Sequence, residues 1–214
     1  MKEESTEAYL EAEIVRLSHN FPISDCPAPQ GNVRLREFIR SHLPPREEAD
    51  HLWEQARQNA LWQYNPQPSS TFYPNLAYHC YTSANSELSP RRLALLFMIL
   101  AVGCLVDLKN READHPDAEK YHQLARASLC EIPIMEETNA ETITALFYEI
   151  WYLLVFSDKK RAAGYAWGLM GLTAKLAQSV GPNIIISSCP LANDELHCFR
   201  SGYVSGICNI DKFF

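Results

Sequence analysis

Apolar residues recur along most of this chain at intervals of three and four, the spacing of a helix that buries one face. In "PPREEADHLWEQARQNALWQY", Ala49, Leu52, Trp53, Ala56 and Ala60 keep that interval behind two prolines suited to a first turn. Glu47, Glu48 and Asp50 stand near the positive end of the helix dipole, so a helix with this apolar face turned inward is predicted. "HPDAEKYHQLARASL" repeats the arrangement, with Pro116 opening it and Ala118, Tyr121, Ala125 and Leu129 on one side. It is expected to lie antiparallel to the helix before it. "NAETITALFYEIWYLLVFS" offers Asn139 as N-cap and a broad stripe of Ile143, Leu146, Phe147, Ile150 and Leu154. Aromatic residues fill much of the remainder, which predicts cover on more than one side.

Two further segments are predicted to be helical. "LALLFMILAVGCLV", Leu93 to Val106, is short of the roughly 20 residues a membrane helix needs and is flanked by "SPRR" and "DLKNRE". It reads as a buried core helix, with Ser89 as N-cap and Pro90 at the first helical position. "KKRAAGYAWGLMGLTAKLAQSV" sets Ala163, Trp167, Met170, Ala174 and Ala177 along one predicted face and Gly164, Gly168 and Gly171 along another. Each glycine weakens a helix by about 1 kcal/mol relative to alanine, so a close packing or ligand contact is expected on the glycine side. Gly181 followed by Pro182 predicts the stop.

Before these, "STEAYLEAEIVRLSHNFPIS" gives a short amphipathic helix, and "CPAPQGN" and "NPQPSSTFYPN" are turn-rich loops. No period-two strand pattern of useful length precedes Gly181. The expected fold is all-α, an irregular antiparallel helical bundle or array. One domain with tails is expected: 1–31 as N-terminal helix and linker, 32–181 as the folded domain, and 182–214 as a divergent, poorly ordered tail.

The 214 residues are 47% hydrophobic and 21% charged, with a net charge of -7 and a pI near 5.5, which gives no general attraction to phosphate backbones. The seven cysteines, Cys26, Cys80, Cys104, Cys130, Cys189, Cys198 and Cys208, are scattered and form no C-x-x-C pair. The start, "MKEESTEAYLEAE", lacks the apolar core of a signal peptide, and no N-x-S/T acceptor occurs. A reducing compartment, cytosol or nucleus, is expected.

Three motifs invite a chemical reading. Glu48 with His51 and Glu119 with His122 are E-x-x-H pairs, a spacing that binds metal in helical di-iron bundles. His51, however, falls opposite Ala49, Leu52, Trp53 and Ala56, where a ligand would point to water. His79 and Cys80 are adjacent, but neighbours on a helix do not face one another, so a polar packing role is expected instead of a nucleophile and its base. "DKKR" at Asp158 to Arg161 reads as a solvated turn or a nuclear-import patch. No G-x-S-x-G, phosphate loop or H-E-x-x-H motif is present.

The order of segments "LREFIRSHLPPREEADHLWEQ", "FYPNLAYHCY" with a short aromatic helix, "LSPRRLALLFMILAVGCL", "AEKYHQLARASL" and "AGYAWGLMGLTAKLAQSVG" resembles the regulatory domain, or middle homology region, of fungal zinc-cluster transcription factors. The resemblance covers about Leu10 to Gly181, and its signature positions are Ala101, Gly103, Trp167, Gly171, Ala177, Gln178 and Gly181. It implies a nuclear, non-catalytic helical module of a transcription regulator. The partners it implies are a second copy in a homodimer or transcriptional co-regulators, with a small-molecule inducer as a further ligand and no membrane. DNA would be reached only through the family's six-cysteine zinc cluster, which this sequence lacks, so no cofactor is expected in this chain. After Gly181 the chain departs from the family, whose members continue with more helices, so a domain incomplete at its C-terminus is expected, truncated by an altered splice junction or a retained intron, with the Ala163, Trp167, Met170 and Ala174 face left as an apolar patch open to association. A helical-repeat adaptor and a metal-dependent helical-bundle enzyme are the alternatives.

Overall fold

A computed structural model describes residues 2–23, 33–61, 70–112, 115–156 and 162–187, with side chains for 7–23, 33–61, 70–112, 115–154 and 162–180. Among them are eight helices and no strand, so the all-α expectation holds. The helices are α1 (Lys2–Asn20), α2 (Val33–Ser41), α3 (Arg46–Asn59), α4 (Phe72–Thr82), α5 (Pro90–Val106), α6 (Pro116–Cys130), α7 (Ala140–Phe156) and α8 (Ala162–Ser187). Among the described residues, no helix is long and apolar enough to cross a membrane. "CPAPQGN", "DKKR" and the segment from 188 to 214 lie outside the described residues, as do Cys26, Cys189, Cys198 and Cys208.

Several helix starts follow from local chemistry. The Ser89 side chain accepts the backbone N–H of Arg92 at 3.4 Å with Pro90 in the first turn. Asn139 Oδ1 accepts from the Thr142 backbone N–H at 2.8 Å, and His115 Nδ1 caps α6 through the N–H of Asp117 at 3.3 Å. Pro45 sits at the cap of α3 with Glu47 and Glu48 in the first turn, as its dipole favours.

The chain divides into two compact units. The first is Met1–Ala60 with Ser69–Glu137, and the second is Leu61–Pro68 with Thr138–Phe214. The expected 32–181 stretch therefore runs through both. In the first unit α5 is the central element, and every residue from Leu93 to Cys104 is buried. Helices α3, α4 and α6 pack on α5, and α1 packs on α6 through Leu10, Ile14, Leu17 and Phe21. Arg91, at the start of α5, reaches the Leu129 carbonyl near the end of α6, and the Phe97 and Tyr121 rings meet at 5.8 Å. This pairing of start with end makes α5 and α6 antiparallel, as expected.

Two buried arginines, Arg36 and Arg91, and the half-buried Arg40 tie helix ends together. Arg91 donates to the carbonyls of Leu129 at 2.5 Å, Ile132 at 2.9 Å, Pro133 at 3.2 Å and Glu137 at 3.1 Å. Arg40, on α2, takes the Tyr81 and Ser83 carbonyls where α4 ends, at 2.5 and 2.7 Å. Arg36 donates from Nε to Glu131 Oε1 at 3.0 Å and from a terminal nitrogen to the Leu88 carbonyl at 2.8 Å. The last carbonyls of a helix have no partner within it, so a guanidinium there satisfies acceptors that burial would otherwise strand.

In the second unit α7 packs with α8. Residues Thr142 to Leu153 of α7 are all buried, matching the expected cover on more than one side. Helix α8 corrects two expectations. Its buried line is Ala162, Ala166, Leu169, Thr173, Leu176 and Val180, with Met170 beside it, whereas Ala163 and Trp167 face solvent. The helix is small and apolar on every side, so residue spacing alone did not orient it. The backbone also stays helical through Gly181 and Pro182 to Ser187, past the expected stop. A proline inside a helix removes one ladder bond and disfavours the turn before it, yet here the helix continues through "NIII".

Candidate functional site

The most developed polar site is built where α5 ends, and a glycine places it. At Gly103 an added Cβ would lie 2.4 Å from the Leu52 carbonyl oxygen, so only glycine lets the backbones of α3 and α5 come this close. That approach brings His51, one residue before Leu52, onto Asp107, just past the end of α5. His51 Nε2 is 2.8 Å from Asp107 Oδ2, and Asp107 Oδ1 accepts from Asn110 Nδ2 at 2.9 Å. Asp107 is 1% exposed and the His51 side chain 43% exposed, so a buried carboxylate holds a surface imidazole.

Arg111 extends the network. It donates to Asp117 Oδ2 at 3.0 Å and pairs with Glu48, joining α3 to the start of α6. The Asp107 carbonyl accepts the N–H groups of Asn110 and Arg111 at 3.2 and 3.0 Å, which folds the turn that carries them. The chemistry available is orientation of one imidazole by one carboxylate. Glu48, the first half of its E-x-x-H pair, is engaged by Arg111, while His51, its second half, is engaged by Asp107.

The remaining motifs resolve in the same way. His122 is buried on α6 with Nδ1 3.4 Å from Glu119 Oε2. Among the described residues, no group of three or more His, Cys, Asp or Glu side chains could hold a metal ion. His79 accepts the Ser89 backbone N–H at Nε2 over 2.9 Å, so Nε2 carries no proton and Nδ1–H donates to Ser83 Oγ at 3.0 Å. Thus His79 latches the α4 end to the α5 start. Cys80 turns into the core, where burial pushes its thiol up to about 12, and burial does the same to Cys104. A thiol so raised stays protonated at neutral pH and is a poor nucleophile.

A second cluster, missed in the sequence, stands on α3 and α4. Tyr73 donates its hydroxyl to Asp50 Oδ1 at 2.8 Å and stacks on Trp53 with centroids 4.9 Å apart. Arg46 bonds the same Asp50 oxygen at 2.7 Å and lies over the rings of Tyr73 and Tyr81 at 5.7 and 5.6 Å. Burial and the Asp50 bond push the Tyr73 hydroxyl well above its ordinary range. The aromatic content of "FYPNLAYHCY" was the available signal.

The seven signature positions are divided between the two units. Ala101 and Gly103 are buried in α5, in the first unit. Trp167, Gly171, Ala177, Gln178 and Gly181 are on α8, in the second. Trp167 is 56% exposed, Gly171 and Gln178 are exposed, and Ala177 is half-buried. No atom lies within 4 Å of a Cβ added at Gly164, Gly168 or Gly171, so the close contact expected on the glycine side is absent among the described residues. Comparison with protein-family models, curated proteins and solved structures gives no match to this chain.

Proposed function

We propose that this chain is a non-catalytic regulatory module of a fungal zinc-cluster transcription regulator, working in the nucleus through protein contacts. DNA contact then belongs to a separate zinc cluster, and the partners are a second copy of the chain or transcriptional co-regulators, with a small-molecule inducer as effector. The observation that carries the reading is the ordered succession of motifs from Leu10 to Gly181 in an all-helical chain, in which the signature Gly103 is required by a backbone crossing. The groups that an enzymatic reading would use support it indirectly. His51, Glu48 and His79 serve contacts between helices, and the Cys80 and Cys104 thiols are raised. The Trp167 side chain, 56% exposed on α8, offers surface for a partner.

Fusion of the chain to an unrelated DNA-binding domain, read with a reporter gene in a fungal host, tests the proposal. The expected result is a change in reporter output that is reduced by Gly103→Val, while the isolated chain shifts no DNA in a gel at moderate salt. An inert fusion, or specific DNA binding that survives competitor, would contradict it. A helical adaptor would instead retain a defined peptide while leaving the reporter unchanged.

A further inference from the structure

We draw no further inference here: the strongest candidate, the open face of α8 where Gly164, Gly168 and Gly171 lie beside the exposed Trp167, is a small-residue surface for which nothing in the structure shows what covers it.

Discussion

Gly103→Ala should destabilise the protein although it replaces glycine inside a helix, and the α3–α5 crossing gives the reason. The added Cβ would stand 2.4 Å from the Leu52 oxygen and 2.9 Å from its carbonyl carbon, where ordinary contact begins at 3.4 Å. The obstacle is backbone, which no rotamer change can move, so the helices must part by about 1 Å, the difference between 3.4 and 2.4. Alanine returns about 1 kcal/mol of helix propensity, while overpacking a filled core costs about 1–3 kcal/mol and sometimes more. Leu52 and its neighbours on α5 are fully buried, so parting the helices also loosens contacts along the crossing. The net expectation is a loss of up to about 2 kcal/mol, rising beyond about 3 kcal/mol for Gly103→Val. Gly171→Ala is the internal control, because among the described residues no packing atom lies within 4 Å of its added Cβ and the helix gain of about 0.5–1 kcal/mol should appear alone. Urea denaturation followed by circular dichroism compares the two. Opposite signs are expected, and a stabilised Gly103→Ala protein would refute the close crossing.

Other substitutions and conditions probe different parts of the structure. Arg91→Met removes the donor shared by four carbonyls and should cost about 2–4 kcal/mol in urea denaturation; a loss below about 0.5 kcal/mol would show that the arginine is dispensable. Removing either member of the buried Arg36–Glu131 pair should cost about 3–5 kcal/mol, whereas Arg36→Met with Glu131→Leu should recover most of it; equal losses in all three proteins would contradict an ion pair. Burial raises the Cys80 and Cys104 thiols from 9.0 to about 12, so the folded state keeps protons that the unfolded chain sheds. The stability they contribute is complete below pH 9 and falls as pH rises toward 12, by about 1.4 kcal/mol per thiol at pH 10. Denaturation midpoints at pH 8 and pH 10 check this, and Cys80→Ala should flatten the dependence. Trp167, being 56% exposed, should supply a tryptophan emission component quenched by acrylamide and lost in Trp167→Phe; an unquenched Trp167 would mean that its face is covered.

Helices whose two sides differ in chemistry were legible, and those held by distant partners were not. The spacing of Ala118, Tyr121, Ala125 and Leu129 oriented α6 correctly, since each is buried, and the caps at Ser89 and Asn139 mark their helices. Helix α2 gave too short a pattern to be read by period, and its place depends on Arg36 and Arg40 reaching Glu131, Leu88, Tyr81 and Ser83, all far along the chain. No local pattern announces that an arginine will satisfy a helix end elsewhere. His51 was expected at the surface and is there, yet its partner Asp107 is fifty-six positions away and meets it only because Gly103 admits the crossing. On α8 the error was one of rotation: Trp167 drew the predicted core face toward itself, while the smaller Ala162, Ala166, Leu169 and Thr173 line is the buried one.

The proposed identity as a piece of a zinc-cluster regulator is tested most directly by sequencing the full-length transcript from which this chain is translated, together with its genomic locus. The expected result is an upstream reading frame with C-x2-C-x6-C spacing, joined in frame to "LEAEIVRLSHNFPIS", and alternative splicing near the Gly181 codon. A locus with no such cysteine frame over several hundred upstream codons, and no junction near Gly181, would contradict it.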